Sequence, residues 1–203
     1  MTTDPVDQLS ELLDLTAELV AGLGDRQWAA ATPCSEWSVA DLVGHLTAGS
    51  NLFTAALGGE PPAGPGSPQP GSELVRAYQD AAGALLAAFR QPGVMDKLVT
   101  VPFGSVPGSV ALHLRLTELL AHGWDLARAT GQPAAFPADL AEQEIAFCHA
   151  TLGKIPPGRS PFGPSRPVPP DAPAADRLAA LLGRDVTFTA AQRSGGPGPG
   201  MQR

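Results

Sequence analysis

The chain of 203 residues carries a formal net charge of -7, and 43% of its residues are hydrophobic. A chain of this length can bury a core of its own. The acidic balance, without a cluster of Lys or Arg, argues against a nucleic-acid partner. A polar, acidic start and the lack of an apolar run near the roughly 20 residues of a membrane span predict a cytoplasmic protein with no membrane partner.

Apolar residues recur at helical spacings along most of the chain, and many of them are Ala and Leu, which are strong helix formers. Ser38 and Asp41 have the spacing of a capping box, which predicts that a helix begins there. Gly131 predicts the end of another helix. The predicted helices cover residues 5–23, 38–57, 72–89, 109–130 and 137–152, followed by a short helix with Leu178, Leu181 and Leu182.

Segments rich in Pro and Gly occupy residues 58–71 and 156–173, and this composition excludes regular structure. Residues 94–108 are expected to form a loop or a short extended piece, and residues 185–188 an extended end. Residues 194–203 are expected to be a disordered tail.

Four long helices pack most naturally as a bundle. The predicted fold is therefore all-α, a four-helix bundle with additional C-terminal helices and Pro-rich loops. We expect one domain over residues 1–193. The composition of the 58–71 loop leaves open whether it is a lid or a linker.

Three polar residues on the predicted helices could bind one ion together. Glu118 and His122 are four residues apart, which separates them by about 40° around the helix axis. Asp125 lies on the same side of this helix and His113 on the opposite side. His45, in the second helix, converges with the pair if the two helices face each other. Such a set resembles catalytic zinc sites, which leave a fourth position open. The alternative is a helical ion pair beside a hydrogen-bonded core histidine.

Two longer motifs surround these residues. Residues 32–46, TPCSEWSVADLVGHL, resemble the motif TPCxEWxVxDLVxHL of the DinB-like superfamily, in its branch of mycothiol-dependent maleylpyruvate isomerases. Residues 118–132, ELLAHGWDLARATGQ, are similar to the second motif of this branch, ExxxHxWDLAxATGQ. Residues 162–185 look like the C-terminal stretch of one related subfamily. The resemblance covers nearly the whole chain, from the first helix to about Asp185.

The resemblance implies a DinB-like bundle that binds one divalent metal ion. Matched residue by residue, the family's ligands fall on His45, Glu118 and His122. Zinc is the expected ion, and Ni, Fe and Mn also suit these ligands. The isomerases use the metal to activate the thiol of mycothiol. The resemblance therefore implies a metal-dependent S-transferase or isomerase that acts on a small electrophile, with mycothiol as the thiol cosubstrate.

Two other functions fit the same ligands. A non-catalytic metal-binding or ligand-binding bundle would close the fourth position, for example through Asp125. A metal-dependent hydrolase would activate a bound water molecule. The expected partner of the enzyme is a small-molecule substrate, and the resemblance is compatible with a homodimer.

The neighbours of the candidate ligands have simpler expected roles. Asp125 is more often a group that orients a histidine than a ligand. Trp37 and Trp124 are expected to pack in the core rather than line a pocket. Arg128 either meets an acidic substrate or interacts with the helix dipole. The remaining candidates are expected to be structural or exposed, namely Asp41, Cys34 and His149.

Overall fold

A computed structural model describes residues 4–34, 37–61, 68–101, 104–133, 135–152 and 162–189. The described part contains six helices and one pair of strands. In chain order they are α1 (Pro5–Ala21), α2 (Val39–Leu57), α3 (Ser72–Phe89), β1 (Leu98–Val101), β2 (Gly104–Pro107), α4 (Gly108–Thr130), α5 (Ala138–Leu152) and α6 (Ala174–Leu181).

Local sequence signals set the helix ends. The predicted capping box begins α2, where the Ser38 hydroxyl accepts a hydrogen bond from the Asp41 amide and the Asp41 carboxylate accepts one from the Ser38 amide. Asp4 caps α1, and Pro5 follows it at the first helical position. Gly131 ends α4 with a φ of 70°, a conformation that glycine adopts without strain.

The four long helices form a bundle. Helix α1 packs against α3 and α4, and α2 packs against the same two helices. Helices α5 and α6 pack against each other and against α4. The bundle core consists mainly of Leu, Val and Ala side chains from α1 to α4. The predicted four-helix bundle with additional C-terminal helices is therefore confirmed.

The segment between α3 and α4 contains the short antiparallel pair of β1 and β2. Leu98 lies opposite Pro107, and Val101 lies opposite Gly104. Val99 and Val101 are buried, and β1 packs against α2 and α4. The extended piece expected within residues 94–108 is thus a strand pair that closes one side of the bundle.

One local prediction was wrong. Residues 185–188 were expected to be extended, but the chain turns there, because Asp185 accepts hydrogen bonds from the amides of Thr187 and Phe188. The predicted tail at 194–203 and the domain boundary at residue 193 lie outside the described residues. So do residues 62–67 and 156–161 of the two Pro/Gly segments. Among the described helices, none is long and apolar enough to span a membrane.

Candidate metal centre

Helices α2 and α4 bring the predicted ligands together at one side of the bundle. Nε2 of His45 lies 4.0 Å from Oε2 of Glu118, and the ring centroids of His45 and His122 are 5.0 Å apart. Two nitrogen or oxygen ligands on one tetrahedral zinc ion lie about 3.3 Å from each other, given bonds of about 2.0–2.1 Å. The donor atoms of the three side chains do not all lie within 4.8 Å of one another. Side-chain movements would therefore have to bring them onto a shared ion, although the donor types suit a divalent metal.

The environment of His45 favours its neutral imidazole. Burial lowers the pKa of His45 most strongly, and His122, Arg115 and Arg184 lower it further. Glu118 acts in the opposite direction. A neutral ring keeps a nitrogen lone pair for a metal ion, so the protein makes His45 competent as a ligand.

His122 is held in place by a buried carboxylate. Its Nδ1 lies 3.0 Å from Oδ2 of Asp125, which is fully buried. We assign Nδ1 as the donor in this contact, because the carboxylate can only accept. The assignment leaves Nε2 with its lone pair free. Carboxylates orient metal-binding histidines in this way, and this is the role that the sequence favoured for Asp125.

Arg184 balances the charge of Asp125. Nη2 and Nε of its guanidinium lie 3.1 and 3.3 Å from Oδ2 of Asp125. The same Nη2 lies 3.3 Å from Nδ1 of His122. Because arginine only donates, this last contact is not a hydrogen bond when Nδ1 carries its proton. The buried pair of Asp125 and Arg184 thus joins the C-terminal segment to the candidate site.

A second arginine lies behind Glu118. Nη1 of the fully buried Arg115 is 2.5 Å from Oε2 of Glu118, and its guanidinium stacks over the ring of Phe53. Its Nη2 donates to the Ser50 hydroxyl at 3.3 Å. Arg115 also fills the space beside Gly49, because its Nη1 would lie 2.6 Å from a β-carbon at that position.

Two residues of the loop before α2 complete the surroundings. The Trp37 ring lies 4.6 Å from the His45 ring and 5.9 Å from the His122 ring, between centroids. Trp37 therefore borders the candidate site while it also packs against the core. Cys34 is half-buried beside His122. Burial raises the pKa of the Cys34 thiol, and Arg184 partly opposes this effect.

Within the described ranges, one group of three potential ligands has all its donor atoms within 4.8 Å of one another, namely Cys34, His122 and Asp125. An ion bound by Asp125 would lie beside the buried guanidinium of Arg184, which already occupies that carboxylate. Both oxygens of the fully buried Asp125 contact this guanidinium, whereas Arg115 contacts Glu118 through Oε2 alone. Asp125 is therefore better suited to orient His122 than to bind the ion.

The remaining candidates have structural roles. Trp124 is buried and donates from Nε1 to Oδ1 of Asp176 at 2.7 Å. Arg128 pairs with the same oxygen at 2.9 Å, so its charge is used to attach α6 to α4 rather than left free for an acidic substrate. His149 is exposed on α5, as expected.

His113 lies apart from the candidate ligands, as its position on the helix predicted. Its Nδ1 is 2.8 Å from Oε1 of the fully buried Glu144, and the Thr117 hydroxyl donates to the other oxygen at 2.8 Å. His113 also borders a cavity of about 560 Å³ near the start of α4, and none of the three predicted ligands lines this cavity. The contacts of His113 connect α5 to α4.

Sequence reasoning missed Arg115 and Arg184. Arg115 could have been found, because it precedes Glu118 by three residues and so shares its helix face. Arg184 is 59 residues from Asp125, and no spacing rule relates positions so distant in the chain. Cys34 was expected to be inert, yet the structure places it beside His122.

Comparisons with known proteins identify the family of this chain. A family profile described as mycothiol maleylpyruvate isomerase N-terminal domain matches residues 9–127, which include all three predicted ligands. Two relatives from strains of Mycobacterium tuberculosis, named uncharacterized protein Rv0738 and uncharacterized protein MT0763, are each 40% identical to this chain over 187 residues. Each alignment covers 90% of this chain and 99% of the relative. No solved structure matches the chain significantly. The chain belongs to the family of the mycothiol maleylpyruvate isomerase N-terminal domain, within the DinB-like superfamily.

Proposed function

We propose that this protein is a metal-dependent transferase or isomerase that uses a low-molecular-weight thiol of the mycothiol type and acts on a small electrophile. The ion, preferably zinc, would be held by His45, Glu118 and His122. The observation that carries the proposal is the proximity of His45 to both Glu118 and His122, together with the Asp125 carboxylate that contacts Nδ1 of His122. Membership of the mycothiol-related family supports the choice of thiol.

A divalent ion at such a site supplies a Lewis acid that lowers the pKa of a bound thiol or water. The chain's own residues prepare the site for this task. Asp125 holds the tautomer of His122, and Arg115 holds Glu118 through a short charge-assisted hydrogen bond. Trp37 lies against the two imidazole rings on one side of the candidate site.

The charges around the site favour an anionic thiolate. The charges of Arg115 and Glu118 cancel, and so do those of Arg184 and Asp125. A divalent ion would then leave this partly buried region with an excess positive charge. The excess stabilises a thiolate relative to a thiol, because an opposite charge nearby favours the charged form.

The first test is the metal content of the purified protein, measured by elemental mass spectrometry. We expect about one equivalent of a divalent ion in the wild type and its loss in His122→Ala, because the site requires all three ligands. His149→Ala is the matched control, since His149 is an exposed histidine away from the site. The control variant is expected to keep the metal.

The second test is turnover. The metal-loaded protein is supplied with a low-molecular-weight thiol and a panel of small electrophiles, and consumption of the free thiol is measured. Thiol consumption that requires the ion and disappears in His122→Ala supports the proposal. If the wild type takes up neither zinc nor another divalent ion while it stays folded, the metal-dependent function is wrong.

A further inference from the structure

Cys34 stands out among the residues around the candidate metal centre, because its thiol has no assigned task. Within the described part of the chain, its Sγ has no hydrogen-bond partner. It nevertheless lies within 4.8 Å of the donor atoms of His122 and Asp125. Thiolate sulfur is a preferred ligand of zinc. An unpartnered thiol beside a histidine suited to metal binding is therefore a candidate ligand.

We propose that Cys34 is a fourth protein ligand, which binds the ion through Sγ in the resting state of the protein. This inference rests on the metal centre of the proposed function. The ligands would then be Cys34, His45, Glu118 and His122. Asp125 stays outside this set, because both of its oxygens already contact Arg184 and Oδ2 also contacts His122.

The distance that separates the groups is short enough for this bond. Sulfur and nitrogen ligands on one tetrahedral zinc ion lie about 3.6 Å apart, given bonds of about 2.3 and 2.0–2.1 Å. Sγ of Cys34 lies within 4.8 Å of a ring nitrogen of His122, so the two side chains would have to approach each other by about 1 Å or more to share an ion. Loop side chains such as that of Cys34 make movements of this size readily.

The backbone holds Cys34 at this place. Its carbonyl oxygen accepts hydrogen bonds from the Thr32 hydroxyl at 2.9 Å and from the Trp37 amide at 3.2 Å. Ala31 and Ser38 pair as an isolated antiparallel bridge that closes the loop next to α2. The loop is therefore fixed at both sides of Cys34, and its thiol stays next to the ligands on α2 and α4.

The chemical step is simple. The S–H bond of Cys34 is exchanged for an Sγ–metal bond, and the proton passes to solvent, so no oxidant or other reactant is needed. A thiol cosubstrate would have to displace Cys34 from the ion. Until the cosubstrate binds, the bound Cys34 would protect the metal from other ligands.

Cobalt(II) provides a direct test, because a cobalt–thiolate bond gives a charge-transfer band in the near ultraviolet that nitrogen and oxygen ligands do not give. The metal-free, reduced full-length protein is titrated with Co²⁺ alone, and absorbance and bound cobalt are both measured. We expect the band to grow to one equivalent in the wild type. Cys34→Ser is expected to bind Co²⁺ without the band.

The second cysteine of the chain offers a matched control. Cys148 is buried near Thr117, on the His113 side of α4, and Cys148→Ser is expected to keep the band in full. One equivalent of cobalt without the band in the wild type, or a band that survives in Cys34→Ser, overturns the assignment of Cys34 alone. No cobalt bound at all overturns the proposed metal centre and this inference with it.

A measurement on the wild type alone keeps the test valid if Cys34→Ser fails to fold. Alkylation of Cys34 by iodoacetamide is followed by mass spectrometry with and without one equivalent of Zn²⁺. We expect zinc to slow the labelling at least tenfold, since a coordinated sulfur is a poor nucleophile. Equal labelling rates, in protein shown to contain the zinc, contradict the ligand role.

Discussion

Gly49 and Arg115 fit together so closely that a β-carbon on Gly49 would lie 2.6 Å from Nη1 of Arg115. Arg115 is fully buried and its guanidinium contacts Glu118, Ser50 and the ring of Phe53, so a displacement would disturb these contacts. Gly49 on α2 thereby leaves room for the ion pair that Arg115 and Glu118 form on α4. The absence of a side chain at Gly49 is part of the construction of the candidate metal centre.

Gly49→Ala is therefore expected to destabilise the protein by about 1–3 kcal/mol, which is typical of an overpacked core. It should also weaken zinc binding, because Arg115 would be pushed away from Glu118. Unfolding in urea measures the first effect and a zinc titration the second.

The matched control for this prediction is Gly83→Ala, since Gly83 is exposed in α3 and a β-carbon there meets nothing within 4 Å. It should stabilise the protein by up to about 1 kcal/mol through helix propensity and leave zinc affinity unchanged. If both alanine variants gain stability and bind zinc like the wild type, the close contact at Gly49 has no functional meaning.

Removal of Arg184 is expected to cost much more than removal of a surface arginine. Arg184→Ala leaves the charge of Asp125 buried without its cationic partner, which costs about 3–5 kcal/mol. The control is Arg166→Ala, because Arg166 pairs with Asp185 at 3.8 Å with both side chains exposed. That exposed pair contributes little to stability. Urea unfolding compares the two variants, and similar losses would refute a special role for the buried pair.

Trp37 should report occupancy of the site through its fluorescence. Its indole lies against the rings of His45 and His122, so an ion bound there changes the surroundings of this fluorophore. We expect zinc to alter the emission of the wild type. Trp28→Phe is the control and should keep this response, because Trp28 is one of the buried tryptophans of the core. Trp37→Phe should lose the response and still take up zinc by mass spectrometry. A response that persists in Trp37→Phe would show that the ion lies elsewhere.

Cys148 gives the folded protein a sensitivity to alkaline pH. Burial raises the pKa of Cys148 to about 11 in the folded state. In the unfolded chain the same thiol has its ordinary pKa of 9.0. The folded state thus binds the thiol proton more tightly than the unfolded state does. The contribution of this proton to the free energy of unfolding is fully present below pH 9 and is lost as the pH rises from 9 towards 11.

We expect the urea midpoint of the wild type to fall more between pH 8 and pH 10 than that of Cys148→Ala, which lacks this thiol. The chosen pH values straddle the unfolded thiol's pKa of 9.0. His149→Ala is the control, because His149 is the neighbour of Cys148 on α5 and is exposed. Its urea midpoint should change with pH as that of the wild type does. Parallel pH profiles for the wild type and Cys148→Ala would argue against a shifted thiol.

The helices could be predicted from the sequence because their signals are local. Apolar periodicity, the capping box at Ser38 and the glycine at Gly131 each act within a few residues, and the structure places helix ends at these signals. The turn at 185–188 escaped prediction, since it depends on side-chain hydrogen bonds of Asp185 that compete with an extended chain.

The candidate site was predictable only where a helix carried the spacing. Glu118 and His122 share one helix face. His45 was included in the candidate site because its helix was expected to face theirs. The partners that set their charge and orientation could not be found in the same way. Arg184 meets Asp125 across 59 residues, and the approach of Cys34 to His122 depends on how a loop folds back over the bundle.

The pairing of Asp125 with Arg184 also has a consequence for biosynthesis. Asp125 emerges from the ribosome together with the rest of α4, long before its partner has been made. Until Arg184 arrives, the carboxylate lacks the cation that permits its burial, so the nascent bundle should remain open around His122. The segment that carries Arg184 would then complete the surroundings of His122 in newly made protein.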